Sequence, residues 1–171
     1  MRSRLITNLV LLAIVIVLIM VTLTELKPKK IAPAPISQLN TQTVSNIELA
    51  RVSKPLIRFS KQDGIWHMAS PQKGLANPIK IKKLLAIAEI DSSSHFPLNA
   101  EEADRFGLKN PAITLKLDQL TIVVGTIAPI SQQRYLGING TLYLVADNFY
   151  HHLIAQLEQY LEQPIPEAST P

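Results

Sequence analysis

The sequence predicts an α+β protein: antiparallel β-hairpins packed against two or three helices, preceded by one N-terminal transmembrane helix. Three observations carry this. Residues Leu5 to Leu23 are nineteen consecutive positions without a charge. Short alternating apolar and polar runs are joined by the turn dipeptides Asp63-Gly64 and Asn139-Gly140, which favour tight hairpins because both residues tolerate positive φ. Helix starts fall between groups of hairpins, without the strict strand–helix alternation of a parallel sheet.

Residues 1–4 form a short N-terminal segment, and 5–24 read as a membrane anchor. A helix of nineteen residues spans about 28 Å, close to the ~30 Å hydrocarbon core of a bilayer. Polar residues within it are confined to Thr7, Asn8 and Thr22 near its ends, whereas a buried core helix of that length keeps a polar stripe. The run is longer than a signal-peptide core, and Ala32 and Ala34 are each followed by proline, a poor context for cleavage. An uncleaved anchor is expected. Residues 25–43 read as a Pro-rich stalk, from Lys27-Pro28 through Pro33 and Pro35, since such composition favours extended chain. The domain is expected over 44–162, and 163–171, with Pro164, Pro166 and Pro171, as a disordered tail.

The net charge of +4 resides at the membrane flanks: the first thirty residues carry five Lys and Arg against Glu25 alone. Beyond them, twelve cations balance twelve acids. Flanking cations suit anionic headgroups, and a neutral domain lacks the basic excess that holds nucleic acid. Cations on both flanks nearly cancel as an orientation signal. The absence of cysteine excludes disulfides, thiolate nucleophiles and cysteine metal sites.

Within the domain, Val44 to Arg51 and Leu56 to Ser60 read as strands, and Asp63-Gly64 turns into Ile65 to Ala69. Asn77-Pro78 opens a helix, asparagine as N-cap and proline at the first helical position. Ile81, Leu84, Leu85 and Ala88 follow at the spacing of one apolar stripe. Ser92 to His95 read as a polar connector. Asn99 to Glu102 open a second, short helix that ends at Gly107. Ile113 to Leu117 alternate as a half-buried strand, turned back by Asp118-Gln119 into Leu120 to Val124. Arg134 to Ile138 and Thr141 to Val145 flank Asn139-Gly140. A last helix is capped by Asp147, with Phe149, Leu153, Leu157 and Leu161 at four-residue spacing.

Candidate chemistry is sparse. His151 and His152 are neighbours and diverge by about 100° on a helix, and no helical His-x3-His pattern exists, so no metal is expected. No Gly-x-Ser-x-Gly elbow supports a nucleophile at Ser92 to Ser94. Gly125 stands without the further glycines of a dinucleotide loop, and no cofactor is expected. Lys73, Lys80, Lys82 and Lys83 read as a solvated face, and Trp66 as a packing residue. An alternative is a hydrolase or small-ligand-binding protein whose site is assembled from scattered residues such as His67, His95 and Asp104.

Phe106-Gly107-Leu108-Lys109-Asn110-Pro111, then Ile122 to Gly125, Arg134-Tyr135 and Tyr143 to Val145, resembles an uncharacterised bacterial family classed as a domain of unknown function. The likeness lies in its aromatic-Gly-Leu-x-x-Pro signature, a strand ending in glycine and a hairpin carrying tyrosine. It covers roughly 44 to 150. The motif positions Phe106, Gly107, Leu108, Pro111, Gly125, Asn139 and Gly140 are structural, and the family supplies no catalytic residue. The resemblance implies a single-pass bacterial inner-membrane protein with its domain on the extracytoplasmic side. Some members accompany transporter or gliding-motility components. The expected function is therefore a non-catalytic membrane-anchored envelope protein. It would act as an interaction or accessory module for a membrane complex or envelope polymer, with the lipid bilayer and an envelope protein as partners.

Overall fold

The computed structural model describes residues 2–25 and 34–162. The expected tail, 163–171, and the 26–33 part of the stalk lie outside the described residues. The chain divides into two units, Met1–Ile31 and Ala32–Pro171. In the first, α1 runs from Arg2 to Glu25. Its described side chains, residues 6 and 8–20, are all exposed, apolar ones such as Leu12, Ile16 and Ile19 included. Among the described residues no helix is long and apolar enough to cross a membrane, so the fold does not show the span expected over 5–24.

The second unit is built on strands β1 (Ala34–Pro35), β2 (Asn46–Arg51), β3 (Ile57–Gln62), β4 (Ile65–Ser70), β5 (Gly74–Leu75), β6 (Asp91–Pro97), β7 (Ile113–Leu117), β8 (Leu120–Ile127), β9 (Gln133–Ile138) and β10 (Thr141–Ala146). They form one sheet in the order β1-β6-β10-β9-β8-β7-β2-β3-β4-β5, antiparallel at every pairing. Two meanders, β2 to β5 and β7 to β10, meet where β2 pairs β7. The tight turns hold positive φ where expected: 48° and 84° at Asp63 and Gly64, 47° and 75° at Asn139 and Gly140. The Asp118 carboxylate accepts the backbone N–H groups of Ser45 and Asn46 at 3.1 and 2.9 Å, fixing the start of β2 on the β7–β8 turn.

Helix α2 (Pro78–Leu85) begins as its sequence dictates, with Asn77 Oδ1 accepting from the N–H groups of Ile79 and Lys80 at 3.0 and 3.3 Å. It continues into a 3-10 turn, Ala86–Glu89. Ile81, Leu84, Ile87 and Ala88 press on one face of the sheet, against Ile47, Leu49, Phe59, Met68, Leu115, Ile122 and Leu136. This is the main core. Burial of such side chains contributes roughly 1.5–3 kcal/mol each. The opposite face of β8, β9 and β10 carries a second cluster of Ala103, Leu108 and Leu142 with Leu98, Phe106, Val123 and Tyr135. Period-two alternation sends Val123 and Tyr135 there while Ile122 and Leu136 enter the main core.

The structure corrects four readings. Ser92 to His95 is no connector but part of β6, because the Ser92 and Ser93 hydroxyls both donate to the Leu144 carbonyl and absorb a bulge opposite β10. After Asn99 there is only a 3-10 turn, Ala103–Phe106, since the Leu108 N–H reaches back to Ala103 O and closes the segment. The last helix is broken into α3 (Tyr150–Leu153) and a 3-10 turn, Leu157–Tyr160. Arg51 explains the break: its Nη1 donates to Ala155 O at 2.7 Å and Leu153 O at 3.5 Å, taking carbonyls a continuous helix needs. Finally, residues 34–43, read as stalk, pack on the domain. Ile36 is buried and its N–H donates to Ile90 O at 2.9 Å, and the Ser37 hydroxyl donates to Ala88 O at 2.9 Å.

One sheet edge is β1 with the remainder of β6, which carries the bulge and ends in Pro97. A bulge and a residue without an N–H blunt an edge against pairing with another chain.

Candidate interaction surface

Phe106 and Leu108 of the aromatic-Gly-Leu-x-x-Pro signature belong to the second cluster, with Gly107 between them. Gly107 closes the 3-10 turn with φ 68°, a left-handed conformation that glycine adopts at no steric cost. Gly125 is needed for space: a Cβ there would stand 2.3 Å from Phe106 O and 3.0 Å from Leu108 Cδ2. Gly137, on the neighbouring strand, would place a Cβ 3.3 Å from Leu108 Cδ1. Leu108 therefore lies in a shallow seat that two glycines leave in β8 and β9. The Phe106 ring meets Tyr135 edge-on, centroids 4.9 Å apart. Pro111 stands in the loop just ahead of β7, and Asn139 and Gly140 are at the far hairpin tip. Gly107, Gly125 and Leu108 serve the packing of this face, while Asn139 borders an open concavity of about 490 Å³ with Ser37, Gln119 and Tyr143.

The sequence alone did not point to the buried ion pair of the domain. Arg134, buried on β9, holds Asp147 with both ends of its guanidinium, Nε to Oδ1 at 2.6 Å and Nη2 to Oδ2 at 2.9 Å. Its Nη1 donates to Gly125 O at 2.8 Å, and its guanidinium carbon sits 3.7 Å above the Tyr150 ring. Each of its three nitrogens donates a hydrogen bond and one face of the cation is stacked. Asp147, read as a helix cap, is instead the counter-ion of this clamp, which ties β8, β9 and the segment after β10 together. An Arg thirteen residues before an Asp, on opposite arms of an Asn-Gly hairpin, is the one signal that could have suggested it.

The histidines do not converge. His67 lies on β4 with Nδ1 3.2 Å from Ile65 O. His95 lies on β6 with its ring 6.0 Å from Tyr143, seven places away in the strand order, and Asp104 sits in the turn over the second cluster. His151 and His152 are 3.8 Å apart, centroid to centroid, on α3. Burial holds the His152 imidazole below its usual pKa, and the positive charges of His151, Lys83 and Lys80 act the same way. The Tyr160 phenol, packed 5.9 Å from the Phe59 ring and donating to His152 O, is pushed up to about 12 by burial, which Arg51 partly opposes. Among the described residues, no three His, Cys, Asp or Glu could hold a metal ion together.

Several concavities indent the described domain, and two of them bear on recognition. A cleft of about 440 Å³ lies between the β2–β3 turn and the segment after α3, with Arg51, Lys54, Ile57, Ala155 and Glu158 among its walls. Arg51 serves the fold there through its carbonyl bonds. A groove of about 330 Å³ runs between α2 and β4 with Trp66, Ile81 and Leu85 in its floor and Gln42, Lys61, Lys82 and Glu89 at its sides. Lys61 Nζ lies 6.0 Å from the Trp66 ring centre. A half-buried tryptophan flanked by aliphatic carbons and both signs of charge has the make-up of a protein-recognition surface, in which an aromatic anchor is ringed by polar groups.

Comparison with protein-family models, curated proteins and solved structures finds no match.

Proposed function

We propose that the protein is a non-catalytic, membrane-anchored interaction module of the bacterial envelope. In this reading α1 is held in the inner membrane and the domain from Ala34 to Glu162 presents the Trp66 groove to a membrane or envelope protein. The extracytoplasmic placement of the domain belongs to the same proposal and is supported by the signal-like anchor, the Pro-rich stretch after it and the family resemblance. The observation that carries the proposal is an apolar helix exposed along its described length, beside a domain whose buried arginine serves to tie strands together. His67 and His95, two of the residues from which a hydrolytic site would be assembled, stand seven places apart in the strand order, which favours binding over catalysis.

The anchor is tested by fractionation. The full chain should stay in the membrane pellet through an alkaline carbonate wash, and a chain lacking residues 1–25 should leave it. Alkaline phosphatase fused after Pro171 should be active. The module is tested by a photo-crosslinking amino acid at Lys82 in growing cells. A single adduct that Trp66→Ala abolishes, with the circular dichroism of the domain unchanged, supports the groove. An adduct indifferent to Trp66 removes it from the proposal.

A further inference from the structure

Arg51 and Arg134 are held alike and completed differently. In each, Nη1 donates to a backbone carbonyl: Gly125 O at 2.8 Å from Arg134, Ala155 O at 2.7 Å from Arg51. The other edge of the Arg134 guanidinium, Nε with Nη2, grips the Asp147 carboxylate. In Arg51 the same edge has no partner among the described residues. Its Nε is buried and unbonded, no hydrogen bond engages its Nη2, and it belongs to none of the ion pairs. A buried charged donor left unpaired is costly, and folded proteins keep few such groups without a reason.

The surroundings of Arg51 define what would complete it. It lines the cleft of about 440 Å³ between the β2–β3 turn and the segment after α3, a volume within the roughly 300–1,000 Å³ of sites for small organic molecules. Lys54 lines the cleft too, set there by a turn in which its N–H donates to Arg51 O at 3.2 Å. Pro55, Ile57, Ile154 and Leu157 supply aliphatic wall, and Glu158 is the one acid of the described lining. Arg51 and Lys54 against Glu158 leave one net positive charge, which suits a monoanion. A phosphate dianion would bring charge in excess and meet Glu158 unfavourably. The planar Nε–Nη2 edge matches two carboxylate oxygens side by side, as Asp147 shows within this same chain.

We propose that this cleft is a binding site for a small aliphatic monocarboxylate. The carboxylate sits on the Nε–Nη2 edge of Arg51 beside Lys54, and the hydrocarbon lies against Ile57, Leu157 and the half-exposed Ile154. Binding gives Arg51 the counter-charge that Asp147 gives Arg134, and burial of the aliphatic chain adds to it. The site lies wholly within the domain and rests on neither α1 nor the Trp66 groove.

The test titrates the full chain, in mild detergent, with hexanoate and follows arginine Nε–H and isoleucine methyl signals by nuclear magnetic resonance. The Arg51 Nε–H should move toward the position of the Arg134 Nε–H, which is already paired and should stay still. The Ile57 and Ile154 methyls should move with the same saturating midpoint. Lys54→Gln should weaken binding about threefold and Glu158→Gln should tighten it about twofold. Arg51→Lys, which keeps the charge and loses the planar edge, should weaken it about tenfold. Saturation with those signs supports the site. No saturable shift overturns it, as do equal methyl shifts with 1-hexanol, since apolar partition then suffices. Inorganic phosphate matching hexanoate at Arg51 marks a general anion site and overturns the carboxylate assignment. Lys54 and Glu158 are exposed, so their variants test the site even where Arg51→Lys fails to fold, and affinity unchanged in both overturns it.

Discussion

The two faces of β8, β9 and β10 are covered in opposite ways. On one, α2 and the segment after β10 bring Leu84, Ile87, Phe149 and Leu153 down onto Ile122, Leu136 and Val145, large side chains meeting large side chains. On the other, a loop with only one 3-10 turn lays Leu108 into the gap left by Gly125 and Gly137, backbone meeting backbone. The first arrangement stabilises through apolar area and tolerates small shifts of a helix that slides on its partner. The second has little area and depends on the absence of side chains at two positions. The main core supplies the free energy, and the loop face sets which backbone geometry that free energy selects.

That contrast can be broken most directly by truncation on each side, using the domain expressed from Ala32 onward, since Ile36 belongs to its core. Leu115→Ala in the main core should cost about 2–5 kcal/mol by urea unfolding, and Leu108→Ala should fall at the lower end of that range. Equal losses would mean the loop face is a core in its own right. Trp66, the only tryptophan, lies against the main core, so its emission should be unchanged in folded Leu108→Ala.

Next comes the clamp that touches both faces. Asp147→Ala leaves the buried Arg134 guanidinium without its counter-charge and should cost about 3 kcal/mol. Because Arg134 also holds Gly125 O, combining Asp147→Ala with Gly125→Ala should give a non-additive double-mutant cycle; additivity would separate the clamp from the loop seat. Gly125→Ala alone should cost about 1–3 kcal/mol through overpacking against Phe106 and should weaken the near-ultraviolet signal of the Phe106–Tyr135 pair. An alanine accepted there without loss would remove the steric account of the glycine.

The smallest effect is electrostatic and belongs to the helix face. His152 has a folded-state pKa below its unfolded value, so its contribution is complete above the unfolded pKa of about 6.5. As pH falls below that value the unfolded chain takes up the proton first and stability declines, until the folded-state pKa is passed. The wild-type melting temperature should drop on going from neutral to mildly acid buffer, and His152→Gln should flatten that slope. An unchanged slope would place the pH sensitivity on other groups.

Much of the domain was legible because its signals are local. Asn77-Pro78 fixes a helix start through one side chain and one missing N–H, Asn139-Gly140 fixes a hairpin through two positive φ values, and period-two alternation in Ile113 to Leu117 fixes a buried face. The misreadings share a different origin. Ser92 to Ser94 became a strand only because β10 offers them a carbonyl ladder, and the four-residue spacing of Phe149 to Leu161 was interrupted because Arg51, about a hundred residues earlier, captures two carbonyls. The Arg134–Asp147 clamp was missed for a related reason, since its pairing requires the β9–β10 hairpin to exist first. The unpaired edge of Arg51 was equally hidden: in sequence it is one more arginine among several. What the sequence by itself determined is the set of turns, caps and alternating faces, since each depends on backbone torsions within a few residues. Which strand borders which, which carbonyls a distant arginine takes, and which arginine is left without a carboxylate were decided by the tertiary structure, because those energies exist only between segments far apart along the chain.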